Sequence, residues 1–132
     1  MPYSIQSDGG IQTQGQMPAA FDGTTMDLAR TPNVFKPVAQ AAATAETTLW
    51  TPASGKKFRL QRLTLTVSAQ SILTFKDNTA GTTILVIELA ANTPLTIDLG
   101  AIGILSGAAD RVLTVTRATS ATLNGFLAGT EE

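Results

Sequence analysis

The sequence predicts an all-β fold: an antiparallel β-sandwich, jelly-roll-like, with an extended N-terminal arm. Three observations point there. Thr and other β-branched residues recur along the chain while Glu and Lys are scarce, and branched side chains fit a pleated sheet better than a helix. From residue 38 onward, short apolar runs separated by turn clusters mark out roughly seven strands. No segment carries a convincing 3.6-residue apolar stripe. A length of 132 residues with 43% hydrophobic content is enough for one core.

Residues 1–37 form the arm. Gln6, Gln12, Gln14 and Gln16 alternate there with Gly9, Gly10, Gly15 and small polar residues. Bulky apolar residues are too sparse to offset an ordering cost of about 1–2 kcal/mol per residue. Isolated anchors separated by polar spacers suit a segment lying across another surface, and Phe21, Leu28, Val34 and Phe35 are the anchor candidates.

The sandwich domain is expected over 38–132. Residues 38–50 read as one extended first strand, because the Ala39–Glu46 run lacks both an N-cap and an apolar stripe. Pro52 and Gly55 turn the chain. Over Lys57–Ser68, Phe58 and Leu60 share one parity while Leu63, Leu65 and Val67 share the other, which requires a bulge near Gln61-Arg62. Ile72–Lys76 leads to the turn Asp77-Asn78-Thr79-Ala80-Gly81. Thr82–Leu89 is apolar at both parities, implying cover on both faces. After Asn92-Thr93-Pro94, Leu95, Ile97 and Leu99 alternate inward. Ala101–Asp110 reads as a loop, and Arg111–Arg117 with Ala121–Gly129 reads as a closing hairpin. The echo of Leu65-Thr66-Val67 in Leu113-Thr114-Val115 is read as two similar hairpins.

Absences narrow the chemistry. With no His and no Cys, the sequence excludes imidazole bases, His-based triads, thiol nucleophiles and thiolate zinc sites. Charged residues are 14% of the chain, against about 25% in an average domain. A net charge of −1 offers no basic excess for nucleic acid or an anionic membrane. The longest apolar stretch, Ile84–Ala91, is interrupted by Glu88 and is too short to span a bilayer, and the first residues do not resemble a signal peptide. A soluble, non-secreted product is the expectation.

The remaining motifs have plain readings. Asp77-Asn78-Thr79 offers oxygen ligands but lacks the spacing of a calcium loop. Gly100, Gly103 and Gly107 match neither phosphate-binding glycine pattern. Lys56, Lys57, Arg59 and Arg62 form the one basic cluster; on a strand Lys57 and Arg59 share a solvated or partner-facing surface opposite Phe58 and Leu60. Glu88, if buried, requires a partner such as Arg59, Arg111 or Arg117, and it suits a strand edge or subunit interface equally well. A hydrolase would have to rest on Asp and Glu alone. No catalytic residue, cofactor or metal is expected.

Phe21-Asp22-Gly23-Thr24-Thr25-Met26-Asp27-Leu28-Ala29-Arg30-Thr31 resembles a segment of small structural proteins of tailed bacteriophages. Trp50-Thr51-Pro52-Ala53-Ser54-Gly55-Lys56-Lys57-Phe58-Arg59-Leu60 resembles their Thr-Pro-Ala-x-Gly-Lys unit before a long strand. Leu73–Asp77 with Gly81-Thr82, and Asn124-Gly125-Phe126 through Glu132, fit the same pattern. The resemblance implies a virion structural protein, most often a capsid decoration (cement) protein. It would be made in the host cytoplasm and would bind the outer capsid surface as a homotrimer. Its partners would be itself and the major capsid protein. The alternative is a tail, fibre or baseplate accessory protein in contact with a host glycan, which the single Trp and single Tyr argue against.

Overall fold

The computed structural model describes residues 19–21, 26–28 and 30–132, with side chains from residue 30 onward. It divides into two units, residues 1–30 and 31–132. In the first unit, β1 (Ala19–Phe21) and β2 (Met26–Leu28) pair antiparallel, with Phe21 opposite Met26 and Ala19 opposite Leu28.

The second unit is a β-sandwich. Its strands are β3 (Val34–Ala43), β4 (Thr47–Trp50), β5 (Phe58–Val67), β6 (Ser71–Asp77), β7 (Thr82–Leu89), β8 (Leu95–Asp98), β9 (Ile104–Leu105), β10 (Leu113–Arg117) and β11 (Ala121–Glu131). One sheet runs β9-β5-β11-β3, with β8 beside β9 on the same edge of β5; the other runs β4-β10-β6-β7. Leaving out the two-residue β9, the chain deals its strands to two antiparallel sheets in jelly-roll order. Leu63, Leu65, Leu123 and Leu127 of the first sheet and Leu73, Phe75, Leu113 and Val115 of the second fill one core between them, each fully buried. Trp50 and Phe58 close one end, their rings 5.8 Å apart and tilted.

The bulge expected in β5 is present at Gln61. Gly129 pairs with Leu60 and Ala128 with Arg62, so Gln61 is the extra residue. That insertion lets Phe58 and Leu60 face the same core as Leu63, Leu65 and Val67. Beyond Pro94, Ile97 and Leu99 pack against the core as the alternation implied, while Leu95 stays 37% exposed.

Several expectations are corrected. The domain boundary falls near residue 31, not at 37/38, because β3 starts at Val34 and pairs with β11 from there. The single strand expected over 38–50 is two strands in opposite sheets, broken at Thr44-Ala45-Glu46. Arg117 holds that break, donating to the Ala41 carbonyl at 2.9 Å and the Thr47 hydroxyl at 3.1 Å. The closing hairpin is no hairpin: β10 and β11 belong to different sheets, as do β5 and β6. The echoed Leu-Thr-Val segments therefore precede two sheet-to-sheet crossings. These crossings lie side by side, joined by Ser71 Oγ accepting from Thr119 N at 3.1 Å and Ser68 Oγ accepting from Thr122 N at 2.9 Å.

Within the expected 101–110 loop, β9 pairs with β5, Leu105 opposite Arg59. This loop is the reason Arg59 is not on a solvated face. The outer side of β5 is roofed there, and Arg59, 2% exposed, donates to the Ile102 carbonyl at 2.6 Å and pairs with Glu132. β7 also departs from the expected cover on both faces. Phe75 pairs with Leu85 and Lys76 with Thr83, so Ile84 is a bulge residue that packs on the core beside Leu85 and Ile87. Val86 points outward and is 56% exposed.

Candidate partner-binding surface

The four anchor candidates are divided between the two units. Phe21 and Leu28 occupy β1 and β2, in the first unit. Val34 and Phe35 belong to β3, in the sandwich. Val34 packs against the core, while Phe35, one residue on, faces the opposite way and is 64% exposed.

Register shows what surrounds Phe35. Directly opposed residues of an antiparallel pair share a face. Phe35 opposes Ala128, which opposes Arg62, which opposes Asp98. The next row is Pro37, Phe126, Thr64 and Thr96. The outer face of the first sheet thus carries Phe35, Pro37 and the 40% exposed Phe126 together, grading into threonines and the Arg62–Asp98 pair at 3.4 Å. Thr64 and Thr96 hydroxyls lie 3.0 Å apart. Phe126 was missed as a partner candidate, although its parity against the inward Leu123 and Leu127 was the available signal.

Two exposed rings and a proline thus share one outer sheet face, and aromatic side chains bury about 150–250 Å² each when covered. Among the described strands β3 pairs only with β11, and Pro37 on it has no N–H to offer a further pairing strand.

The second sheet presents a smaller feature. Ile72, 45% exposed, opposes Glu88 across the β6–β7 pair. A groove of about 290 Å³ opens there, lined by Gln70, Ser71, Ile72, Glu88, Ala118 and Thr119. Glu88 is exposed, and its partner is Gln70, whose Nε2 donates to Oε2 at 2.7 Å, rather than any of the arginines considered.

The other carboxylates are tied into the scaffold. Glu46 accepts from the Thr114 hydroxyl and the Ala80 amide, which, with Lys76 nearby, hold its carboxyl below the ordinary value despite some desolvation. The Gly100 amide holds Asp98 below its ordinary value, helped by Arg62. For Glu131, burial pushes upward. The Trp50 indole at 2.7 Å, the Ala53 amide at 3.1 Å and the charges of Lys36 and Lys56 outweigh it, and the net direction is down. Burial lowers the Arg117 guanidinium, whose acceptors among the described residues are all neutral. Among the described residues, no group of three Asp or Glu side chains could hold a metal ion. No helix among them is long and apolar enough to cross a membrane.

A scan against protein-family models and a search of curated proteins each found no match to the chain.

Proposed function

We propose that this chain is a virion structural protein of a tailed bacteriophage: a capsid decoration protein that binds the outer capsid surface as an oligomer, a homotrimer, and stabilises the shell. The resemblance of residues 21–132 to such proteins motivates the reading. The observation that carries it is the exposed Phe35–Pro37–Phe126 patch on the outer sheet face, where bulky apolar side chains are left for a partner to cover. The sandwich supplies a rigid platform, and a separate N-terminal unit adds a second point of attachment. Linked weak contacts strengthen binding by about 10²–10⁴.

The test is to mix the purified chain with undecorated capsids of its phage and image the particles. Regular density on the head lattice, many copies per particle, is the expected result. A few copies at the tail would favour the accessory-protein reading, and no association with particles would overturn both.

A further inference from the structure

We infer that the groove at the Glu88 end of β7 is a docking site for an arginine side chain presented by a partner protein. Glu88 differs from every other described carboxylate in how its charge is met. Asp77 faces Arg111, Asp98 faces Arg62 and Glu132 faces Arg59, while Glu46, Asp110 and Glu131 each accept from a backbone amide. Among the described residues, Glu88 has the Gln70 carboxamide alone. Glu88 is exposed, so solvent meets its charge and the carboxylate stays open to a cation brought by a partner.

The surroundings select the occupant. Gln70 Nε2 occupies Glu88 Oε2, which leaves Glu88 Oε1 and Gln70 Oε1 as two acceptors on adjoining side chains. A guanidinium offers several donors in a planar fork and suits two neighbouring acceptors better than an ammonium does. Ile72, 45% exposed, and Ala118 supply apolar wall for the aliphatic stem. A groove of about 290 Å³ has room for one long side chain. Beyond the groove, β7 ends its sheet and pairs only with β6 among the described strands, so an extended partner segment carrying the arginine has a strand edge to lie against. The inference goes beyond capsid binding and does not depend on it, since it concerns a contact that any arginine-bearing partner makes.

The experiment titrates N-acetyl-arginine methylamide into the isotope-labelled full chain and follows backbone amide shifts. The citrulline analogue, of the same shape but uncharged, is the control. Saturable shifts confined to residues 70–72, 88 and 118–119 are expected, with binding roughly tenfold weaker for citrulline and for the Glu88→Gln variant. Equal binding of citrulline, undiminished binding to Glu88→Gln, or no localised shifts would overturn the inference. Self-association of Glu88→Gln without any arginine response would also overturn it, by showing that Glu88 merely guards the strand edge. Loss of particle association with arginine binding intact would instead strike at the decoration reading alone.

Discussion

At the level of single residues, the fold depends on a few contacts that cannot relax. A Cβ at Gly129 would lie 1.8 Å from the Arg59 carbonyl oxygen and 2.9 Å from the Trp50 ring, so Gly129→Ala is expected to cost about 2–3 kcal/mol in urea unfolding. Arg117, 2% exposed, bridges the Ala41 and Ala121 carbonyls and the Thr47 hydroxyl. Arg117→Met keeps the stem but strands those acceptors, and a loss of about 2–4 kcal/mol is expected by the same measurement. The third residue-scale prediction concerns acid. Glu131 has a folded value below its ordinary 4.5, so its contribution is complete above that value and is lost as pH falls through the lower folded one. Trp50 is the only tryptophan and donates to Glu131, so its fluorescence should change over this acidic window and stay flat through it in Glu131→Gln.

Among the elements, what was legible in the sequence is instructive. The parity switch between Phe58-Leu60 and Leu63-Leu65-Val67 located the β5 bulge, because a core demands one face and only an inserted residue reconciles the two runs. Deleting Gln61 should abolish the cooperative unfolding transition, whereas Gln61→Ala, which keeps the residue count, should leave it cooperative; circular dichroism against urea distinguishes them. The same logic misread β7. Its double parity reflects a bulge at Ile84 rather than cover on both faces, and no turn or glycine announced it. Sheet membership was also illegible. Ser68-Ala69-Gln70 and Ala118-Thr119-Ser120 look like hairpin turns, yet each carries the chain from one sheet to the other. Short-range chemistry sets where a chain bends but not which distant strand receives it. Arg59 was misplaced for a related reason: the loop that roofs it lies some 40 positions further along.

For the whole molecule, the candidate surface was half visible. Phe35 was singled out from the sequence as an anchor, but its partners in the patch, Pro37 and Phe126, come together only through the β3–β11 register. Because Phe35 and Phe126 are exposed, Phe35→Ser with Phe126→Ser should leave thermal stability nearly unchanged while weakening association with undecorated capsids roughly tenfold or more, as read by co-sedimentation. Unfolding of the double variant would show instead that these rings serve the fold.

The position of β11 has a bearing on biogenesis. It follows every other described strand in sequence, yet it lies between β3 and β5, hydrogen-bonded to both. A nascent polypeptide halted at residue 120 therefore holds β3 on one side and β5 with its edge partners β8 and β9 on the other, with nothing to join them, so maturation on the ribosome must wait until translation has passed this segment. Folding then begins from a chain whose pairings are mostly remote, a regime of milliseconds to seconds in which freshly released copies depend on dilution or chaperones to avoid each other.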